Sequence, residues 1–466
     1  MGMRPFTFFY PKLSSILRDI RGSSVLFFLL NAPLLLFFGI GHLNRPIFNL
    51  DYLIVIVISS VSRQLSLILL ILICLVDYSV IGAAQFHFLS PLEYLTSVRF
   101  LTYANFFEIA YRSSAVLLFG VLFLYLTNKI LPSTKKAGFL KTFAAASFLC
   151  VSVISLDILN GSAPYFYKTG ATIAPINVAG SALRIAIIST VQRDSSKIVD
   201  ISDADLASNL AEVKVWAEKN QKRSVVYVLV ESLGESLDGN EDLFIEILKK
   251  GLTSKYEIRS ELVGFNGSTT SAEMRELCSK IGSYSVLDNK IGANCLPNYF
   301  NTLDWVTKGY HGFSKKMFNR SEWWKYIGFQ QTFFFEELNS SLRRCGGMFA
   351  GICDADLIHQ AFSTSQFNKE FIYILTLNSH LPIPSTVFTK EDMSRGECRL
   401  HIEVCALEKS HSVVFTQINF ELNRIDPLKL PYVVIVGDHS PPFGNELIRN
   451  NYSQSKVPKF VLTPKY

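Results

Sequence analysis

The sequence predicts a membrane domain of about five helices followed by an external α/β domain, and two patterns carry that prediction. Apolar residues crowd into the first 160 positions of this 466-residue chain, whose mean hydropathy of +0.26 is high for a soluble protein. From residue 223 onward, short β-branched runs alternate with helical patterns, as in a sheet that helices cover on both faces. We therefore expect a transmembrane domain at 1–160, an interfacial helical linker at 161–222 and an external domain at 223–466.

Four apolar segments define the predicted membrane domain. A helix needs ~20 apolar residues to cross the hydrocarbon core of a bilayer, and the candidate segments are 24–42, 52–83, 109–128 and 138–158. Ser62, Arg63 and Gln64 interrupt the second segment, so it either crosses twice or forms one kinked helix. The double crossing gives five spans. This count places the N-terminus in the cytoplasm and the residues after Leu159 outside.

Basic residues set the predicted orientation. The loop 129–141 holds four lysines and should be cytoplasmic, so the last span delivers everything after Leu159 to the outside. The basic N-terminus should also lie inside, and no small-residue cleavage site follows the first apolar run. Because the basic residues cluster in short loops between apolar segments, the net charge of +6 fits membrane topology, and no nucleic-acid partner is expected.

An aromatic-rich segment at 84–108 would form an external loop in this topology. It carries Glu93, Arg99, Asn105 and Glu108 among its aromatic side chains. Such a segment is either an interfacial connector, because aromatic rings favour the membrane–water boundary, or a surface that faces a lipid substrate.

Six of the eight cysteines lie in the external part of the chain. An even set after a membrane anchor indicates disulfides and an oxidising compartment, although the sequence alone leaves the connectivity and a reduced state open. Sequential pairing is the preferred arrangement and would give three short loops: Cys278 with Cys295, Cys345 with Cys353, and Cys398 with Cys405.

Two unbroken apolar runs end on polar residues that can bind a metal. Residues 225–230 read as a buried parallel strand that ends at Glu231, and residues 432–436 read as a second strand followed by Asp438 and His439. Ligands of open α/β sheets bind at the carboxyl ends of the strands. Two carboxylates and an imidazole suit a divalent metal, most simply Zn²⁺, with Mn²⁺ as the alternative.

A threonine lies where such a metal could activate it. The segment 266–278 should start a helix near Thr269, which leaves backbone N–H groups free to meet an anion. A threonine hydroxyl is a weak nucleophile unless a metal or base lowers its pKa. Each of these motifs is common by itself, and a Thr-Thr-Ser run is most often only a helix cap.

Together the motifs resemble the membrane-anchored transferases of the alkaline phosphatase/sulfatase superfamily, which include phosphoethanolamine transferases and lipoteichoic acid synthase. The resemblance implies a sulfatase-like α/β/α catalytic domain at 223–466 in which Glu231, Thr269, Asp438 and His439 bind the metal. It favours Thr269 as the nucleophile because the family's nucleophile precedes the motif glutamate, here Glu273, by four residues; Thr270 remains the alternative. Ser-Pro-Pro follows Asp438-His439 where the phosphoethanolamine transferases have Gly-Glu-Ser, so a second metal site is not supported.

Two further segments of the resemblance imply substrate contacts. Phe318, Asn319 and Arg320 resemble the Trp-Asn-Arg segment of lipoteichoic acid synthase, so Arg320 should clamp the substrate phosphate. His380, in an Asn-Ser-His-Leu-Pro segment, should contact that phosphate and protonate the leaving group. Asp354 and Asp356 are typical of a solvated helix start, and no site role is expected for them.

The resemblance implies a phosphoethanolamine transferase of the bacterial inner membrane, with its catalytic domain on the periplasmic side. Phosphatidylethanolamine is the expected donor, because the phosphoethanolamine transferases also carry short disulfide loops, and a surface glycolipid or glycan of the lipopolysaccharide type is the expected acceptor. Phosphatidylglycerol is the rival donor, because of Phe318-Asn319-Arg320. A non-catalytic sulfatase-like membrane protein is a further alternative, and the chain is expected to act as a monomer.

Overall fold

The computed structural model divides the chain into two compact units, which are residues 1–96 with 110–193, and residues 97–109 with 194–466. The residues that the structure describes are 13–38, 46–85, 90–104, 106, 110, 120–121, 124–125, 138–159, 179–192, 198–201, 210–237, 241–338, 340–384, 387, 402–443 and 445–466. The domain boundaries predicted at 160 and 222 stay a prediction.

The described part of the first unit is helical. Its helices are α1 (Leu13–Phe38), α2 (Tyr52–Ser59), α3 (Arg63–Gln85), α4 (Pro91–Thr96), α5 (Phe139–Leu159) and α6 (Ala182–Gln192). Two two-residue strands, β1 (Phe48–Asn49) and β2 (Ala179–Gly180), pair in parallel. The apolar faces of α1, α2, α3 and α5 pack together in one core.

Two of the described helices are long and apolar enough to cross a membrane, over Arg63–Ala83 and Phe139–Leu156. The predicted interruption near Arg63 is present, because α2 ends at Ser59 and α3 begins at Arg63. However, α2 has eight residues and would rise only about 12 Å, which is too short to span a bilayer. Most of the predicted span 109–128 and of the lysine loop 129–141 lies outside the described residues, so five spans stay a prediction.

The second unit is an α/β domain around one seven-stranded sheet. Its strands are β4 (Val225–Val230), β5 (Tyr256–Gly264), β7 (Val306–His311), β8 (Gln331–Phe333), β11 (Glu370–Leu375), β12 (Tyr432–Gly437) and β13 (Lys456–Pro464). Their order is β5-β13-β12-β4-β11-β7-β8, and all neighbours are parallel except that β13 runs antiparallel to β12 and β5. The carboxyl ends of β12, β4, β11 and β7 therefore meet at one edge.

Helices and short strands complete this unit. The helices are α7 (Leu210–Lys219), α8 (Glu241–Lys249), α9 (Thr269–Cys278), α10 (Asn289–Gly292), α11 (Leu296–Thr302), α12 (Arg320–Tyr326), α13 (Asp354–Ser363), α14 (Ile402–Arg424) and α15 (Glu446–Arg449). The short strands β3 (Val199–Asp200) and β6 (Lys280–Ile281) pair with each other, as do β9 (Arg344–Cys345) and β10 (Gly351–Ile352). Turns of 3₁₀ helix lie at Ser97–Tyr103, Tyr284–Val286, Met317–Asn319 and Pro427–Lys429.

The sheet is buried on both faces. Tyr227 and Leu229 of β4 belong to one apolar cluster, whereas Val226 and Val228 belong to the cluster on the opposite side. This alternation follows from the two-residue repeat of a strand, and it explains why the run has no polar face. At the end of β12 only glycine fits, because a Cβ on Gly437 would lie 1.9 Å from the carbonyl oxygen of Leu233.

Two of the predicted sequential disulfides are present. Cys278 at the end of α9 is bonded to Cys295, and Cys345 of β9 is bonded to Cys353. Cys405 is also disulfide-bonded, whereas Cys398 lies outside the described residues. Both bridges close short loops, so each fixes the start or end of a helix that borders the candidate site.

Candidate metal centre and nucleophile

Three potential ligands meet at the carboxyl ends of β4 and β12. Glu231, Asp438 and His439 offer ligand atoms that all lie within 4.8 Å of one another. The Nε2 atom of His439 is 3.3 Å from Asp438 Oδ2 and 3.6 Å from Glu231 Oε1. All three side chains are at most 5% exposed. The parallel register of β4 and β12 creates this cluster, because it brings together residues more than 200 positions apart.

Local hydrogen bonds orient the three ligands. His439 Nδ1 lies 2.9 Å from the carbonyl oxygen of Ser440, which assigns the hydrogen to Nδ1 and directs the Nε2 lone pair at the carboxylates. Asp438 Oδ1 accepts from the backbone N–H groups of Ser232 and His439, at 2.7 and 2.6 Å. Ser232 reaches this position with φ of +55°, and its hydroxyl donates to Glu231 Oε1.

Burial and mutual interaction shift the pKa values of all three residues. Burial and the neighbouring Glu231 carboxylate raise the pKa of Asp438 well above its ordinary value. Burial alone would raise the pKa of Glu231 too, but the His380 and His439 imidazoles oppose it and the net pKa is lowered. Burial lowers the pKa of His439, which keeps its imidazole neutral as metal binding requires.

The residues present fit a divalent cation. Among the described residues, Asp438 Oδ2 is a buried carboxylate oxygen that no hydrogen bond satisfies. A buried, unsatisfied carboxylate oxygen is costly unless an ion is bound there. Two carboxylates, one neutral imidazole and an adjacent hydroxyl form a donor set that suits Zn²⁺ or Mn²⁺.

Thr269 is the hydroxyl that adjoins this cluster. Ser268 is the N-cap of α9 and Thr269 is its first residue, so the helix begins where the sequence predicts. The Oγ1 atom of Thr269 donates to Glu231 Oε2 at 3.1 Å and is half-buried. Thr270 is buried and its hydroxyl pairs with Ser268 at 3.2 Å. The geometry therefore favours Thr269 over Thr270 as the nucleophile.

Arg275, which the sequence did not single out, ties α9 to the end of β12. Its guanidinium donates to the carbonyl oxygens of Gly437 at 3.0 Å and Asp438 at 3.4 Å. The side chain is 2% exposed and pairs with Glu276, which also accepts from the hydroxyl of Tyr227. One helix therefore positions both Thr269 and the backbone that carries Asp438 and His439.

Arg320 pairs with Glu273 of α9, so a protein carboxylate already holds most of its guanidinium. Its Nε and Nη2 atoms donate to Glu273 Oε2 at 3.0 and 2.8 Å, and Trp324 donates to Glu273 Oε1 at 3.0 Å. Arg320 is 2% exposed, and its guanidinium carbon lies 5.1 Å from the centre of the Phe318 ring. Arg320, which is predicted to bind the substrate phosphate, thus uses Nε and Nη2 on Glu273. Its Nη1 atom has no hydrogen bond to any described residue.

Arg320→Ala is expected to lower both stability and donor binding. It leaves Glu273 buried and uncompensated, which should cost about 3–5 kcal/mol of unfolding free energy. The double variant Arg320→Ala/Glu273→Gln should recover much of that stability, since no charge is left buried, but should keep a raised KM for the donor. Thermal melts and initial rates of the detergent-solubilised protein measure the two effects separately.

The exposed ion pair between Arg343 and Asp356 is the matched control. Its arginine side chain is 73% exposed, so Arg343→Ala should change stability by less than about 1 kcal/mol. If Arg320→Ala behaves like Arg343→Ala in both assays, the guanidinium contributes neither to the core nor to donor binding.

Phe318 and Asn319 form a strained turn before α12. Both have left-handed backbone, with φ of +54° and +55°, which is uncommon for residues other than glycine and is concentrated at functional sites. Asn319 is exposed and is the N-cap residue of α12, but its side chain makes no capping hydrogen bond, whereas Phe318 is half-buried. The Phe318 ring packs at 4.5 Å on Phe100, from the 3₁₀ turn at 97–103. Part of the predicted external loop 84–108 therefore lines this unit.

His380 stands beside the ligand cluster. Its Nδ1 atom lies 2.9 Å from the carbonyl oxygen of Leu381, which leaves Nε2 as the available nitrogen of a half-buried ring. The ring is close enough to Glu231 and His439 to affect the pKa of both. Phe349 packs against it edge-on at 5.2 Å. His380 thus interacts electrostatically with Glu231, the hydrogen-bond partner of Thr269.

Comparison with known proteins gives matches in structure alone. No protein-family model matches the sequence, and no curated protein is significantly similar to it. The lipoteichoic acid synthase LtaP of Listeria monocytogenes is 15% identical, with TM-score 0.40 over 58% of this chain and 69% of its own. The phosphoglycerol transferase GacH of Streptococcus pyogenes, in complex with sn-glycerol-1-phosphate, is 17% identical, with TM-score 0.39 over 55% and 74%.

A third structure, described as a protein of the alkaline phosphatase superfamily from Vibrio parahaemolyticus, is 14% identical, with TM-score 0.39 over 59% of this chain and 68% of that one. The solved proteins to which this chain is similar thus include members of the group that its motifs resemble.

Proposed function

We propose that this protein is a membrane-anchored transferase that moves the phosphorylated head group of a phospholipid onto a glycan or lipid acceptor through a phosphothreonine at Thr269. One observation carries the proposal: the Thr269 hydroxyl lies 3.1 Å from Glu231 at the edge of a buried cluster suited to a divalent cation. The ligands are buried whereas Thr269 is half-buried, which supports access of a substrate to this residue.

The first half-reaction transfers the head group to the enzyme. Glu231, Asp438 and His439 would hold a divalent cation, whose positive charge would lower the pKa of the adjacent Thr269 hydroxyl and neutralise phosphoryl oxygens. Thr269 first loses its hydroxyl proton to solvent; its Oγ1 then attacks phosphorus, and the bond from phosphorus to the glycerol oxygen of the lipid breaks. His380 gives that oxygen a proton from Nε2, so diacylglycerol leaves as a neutral alcohol.

The second half-reaction restores the enzyme. An acceptor hydroxyl loses its proton to the now neutral His380, attacks the phosphorus and displaces the Thr269 oxygen. Each imidazole proton given in the first step is thereby recovered in the second. The scheme requires diacylglycerol to leave before the acceptor enters, so the kinetics should be ping-pong.

Phosphatidylethanolamine is the donor that we propose, and phosphatidylglycerol is the second candidate. The disulfides Cys278–Cys295 and Cys345–Cys353 support the first, because short disulfide loops resemble the phosphoethanolamine transferases. The Phe318-Asn319-Arg320 turn supports the second. We propose that the enzyme acts as a monomer in the bacterial inner membrane, with the second unit on the periplasmic side.

Mass spectrometry of surface glycolipids and glycans, from cells with and without the protein, tests the function directly. We expect an added mass of one phosphoethanolamine. An added mass of one phosphoglycerol would identify phosphatidylglycerol as the donor. If neither mass appears and the purified protein binds no metal, the chain is a non-catalytic relative.

Phe100→Ala is expected to weaken binding of the lipid donor. The ring supports Phe318, and Phe318 lies against the Arg320 guanidinium, so its loss should loosen the proposed head-group contact. We expect KM for the phospholipid to rise about 5- to 10-fold, in line with about 1–1.5 kcal/mol for an aromatic pair, with kcat within about twofold. Val98→Ala, on the same turn but 56% exposed, should leave both constants unchanged.

A further inference from the structure

Asp354 is a buried carboxylate that the proposed chemistry does not use. It begins α13 and is 3% exposed, so the expectation of a solvated helix start is wrong for this residue. Asp356, one half-turn later, is only 18% exposed but lies at the surface, where it pairs with the exposed Arg343. The difference arises because the start of α13 faces the end of β11, and burial there raises the pKa of Asp354 to about 7.

The carboxylate of Asp354 accepts hydrogen bonds from two backbone N–H groups in the loop that leads to His380. Its Oδ1 accepts from the N–H of Leu377 at 2.9 Å, and its Oδ2 accepts from the N–H of Asn378 at 2.8 Å. In return, the N–H of Asp354 donates to Asn378 Oδ1 at 2.6 Å. Among the described residues Asp354 has no ion pair, so these backbone donors alone stabilise its charge.

The opposite side of the same loop is bound to the metal-binding strand end. Ser379 donates to the carbonyl oxygen of Glu231 at 2.6 Å, and the N–H of Glu231 donates to the hydroxyl of Thr376 at 2.9 Å. The loop 376–380 is therefore held between α13 and β4, and His380 is its last residue. The disulfide of Cys353, the N-cap of α13, fixes the helix end from which Asp354 acts.

We propose that Asp354 is a positioning residue for His380: it fixes the backbone at Leu377 and Asn378 and so places the imidazole for proton transfer to the leaving group. A carboxylate is needed because two adjacent N–H groups require two acceptor oxygens, and an asparagine offers one. This inference rests on the proposed role of His380 in transfer through Thr269. A misplacement of a reacting group by about 1 Å can cost ~100-fold in rate.

The test compares Asp354→Asn, His380→Ala and the double variant in the full-length protein. Asp354→Asn should lower kcat with the phospholipid donor about 10- to 100-fold and leave KM within about threefold. His380→Ala should lower kcat about 10²- to 10⁴-fold. The double variant should be no slower than His380→Ala within about twofold, because Asp354 acts through the imidazole. Asp356→Asn, on the same helix, should leave kcat unchanged.

A second donor separates positioning from a loss of structure. The nitrophenyl ester of phosphoethanolamine has a leaving group that needs no proton, so both single variants should approach the wild-type rate with it. If Asp354→Asn remains equally slow with this ester, or multiplies the defect of His380→Ala, the carboxylate does not act through His380 and the inference is overturned.

Asn378→Ala supplies the same test if Asp354→Asn does not fold. This substitution removes the hydrogen bond from the Asp354 N–H to the Asn378 side chain and leaves the Asp354 carboxylate in place. It should therefore lower kcat less than Asp354→Asn does, again with the phospholipid and not with the nitrophenyl ester. A defect that is equal for both donors would contradict the inference. A wild-type rate for His380→Ala with the phospholipid would instead remove the proposed role of His380, whereas Thr269→Ala tests the transfer itself.

Discussion

Thr269→Ala is expected to abolish head-group transfer, by at least about 10³-fold in kcat, while the fold persists. The hydroxyl is the only part of the residue that the scheme uses, and covalent catalysis has no substitute for a missing nucleophile. Thr269 is half-buried at the first position of α9, so its truncation removes one hydrogen bond to Glu231 and leaves no large cavity. Transfer of label from a radioactive phospholipid to the protein, and then to the acceptor, measures both half-reactions.

Thr270→Ala is the matched control, because it removes the same group one position later. Its hydroxyl contacts Ser268 rather than the ligand cluster, so activity should stay within about threefold of wild type. Phosphorylated peptide from a trapped intermediate should carry its label at Thr269. If Thr270→Ala loses transfer and Thr269→Ala retains it, the nucleophile is misassigned by one residue.

Asp438→Asn is expected to abolish metal binding without lowering the stability of the metal-free protein. Without a cation, Glu231 and Asp438 place two buried carboxylates together, so the neutral amide should leave the metal-free melting temperature equal or higher. Wild-type protein should instead gain stability on addition of Zn²⁺, by about 2.7 kcal/mol at 100 times Kd. The variant should lose that gain and should lose transfer activity.

Melting curves with chelator, with Zn²⁺ and with Mn²⁺ measure this effect, and elemental analysis of the purified protein counts the bound ion. Asp356→Asn serves as the control, because it changes an acidic residue outside the cluster and should retain the full Zn²⁺ response. An unchanged Zn²⁺ response in Asp438→Asn would show that the stabilising ion binds elsewhere.

Much of the fold that carries the site could be predicted from local pattern. The runs at 225–230 and 432–437 are buried on both faces, so their lack of polar residues is visible in the sequence. The start of α9 was also predictable, because a Gly-Ser-Thr turn before a helix has a local sequence signature. Unbroken apolar strands of this kind are typical of parallel sheets. Parallel pairing of β4 and β12 is enough to bring Glu231 and Asp438 together.

The supporting contacts were not predictable, because they depend on how a helix end meets a distant strand end. Arg275 reads as an ordinary helical cation, yet it donates to carbonyl oxygens 162 and 163 residues away. Asp354 has the sequence signature of a solvated cap, yet it faces the loop before His380. The packing of Phe100 on Phe318 joins segments more than 200 residues apart, and no periodicity in the sequence encodes it.

The helix α9 has a consequence for how this protein could diversify. It carries Thr269, the proposed nucleophile, it holds Arg320 through Glu273, and it fixes the strand end of Asp438 through Arg275. A mutation that tilts this helix would disturb three functions at once, so natural variation should be rare along it. New head-group preferences should therefore arise in the aromatic turn at 318–319 and its neighbour at 97–103, where side chains can change without moving the reacting atoms.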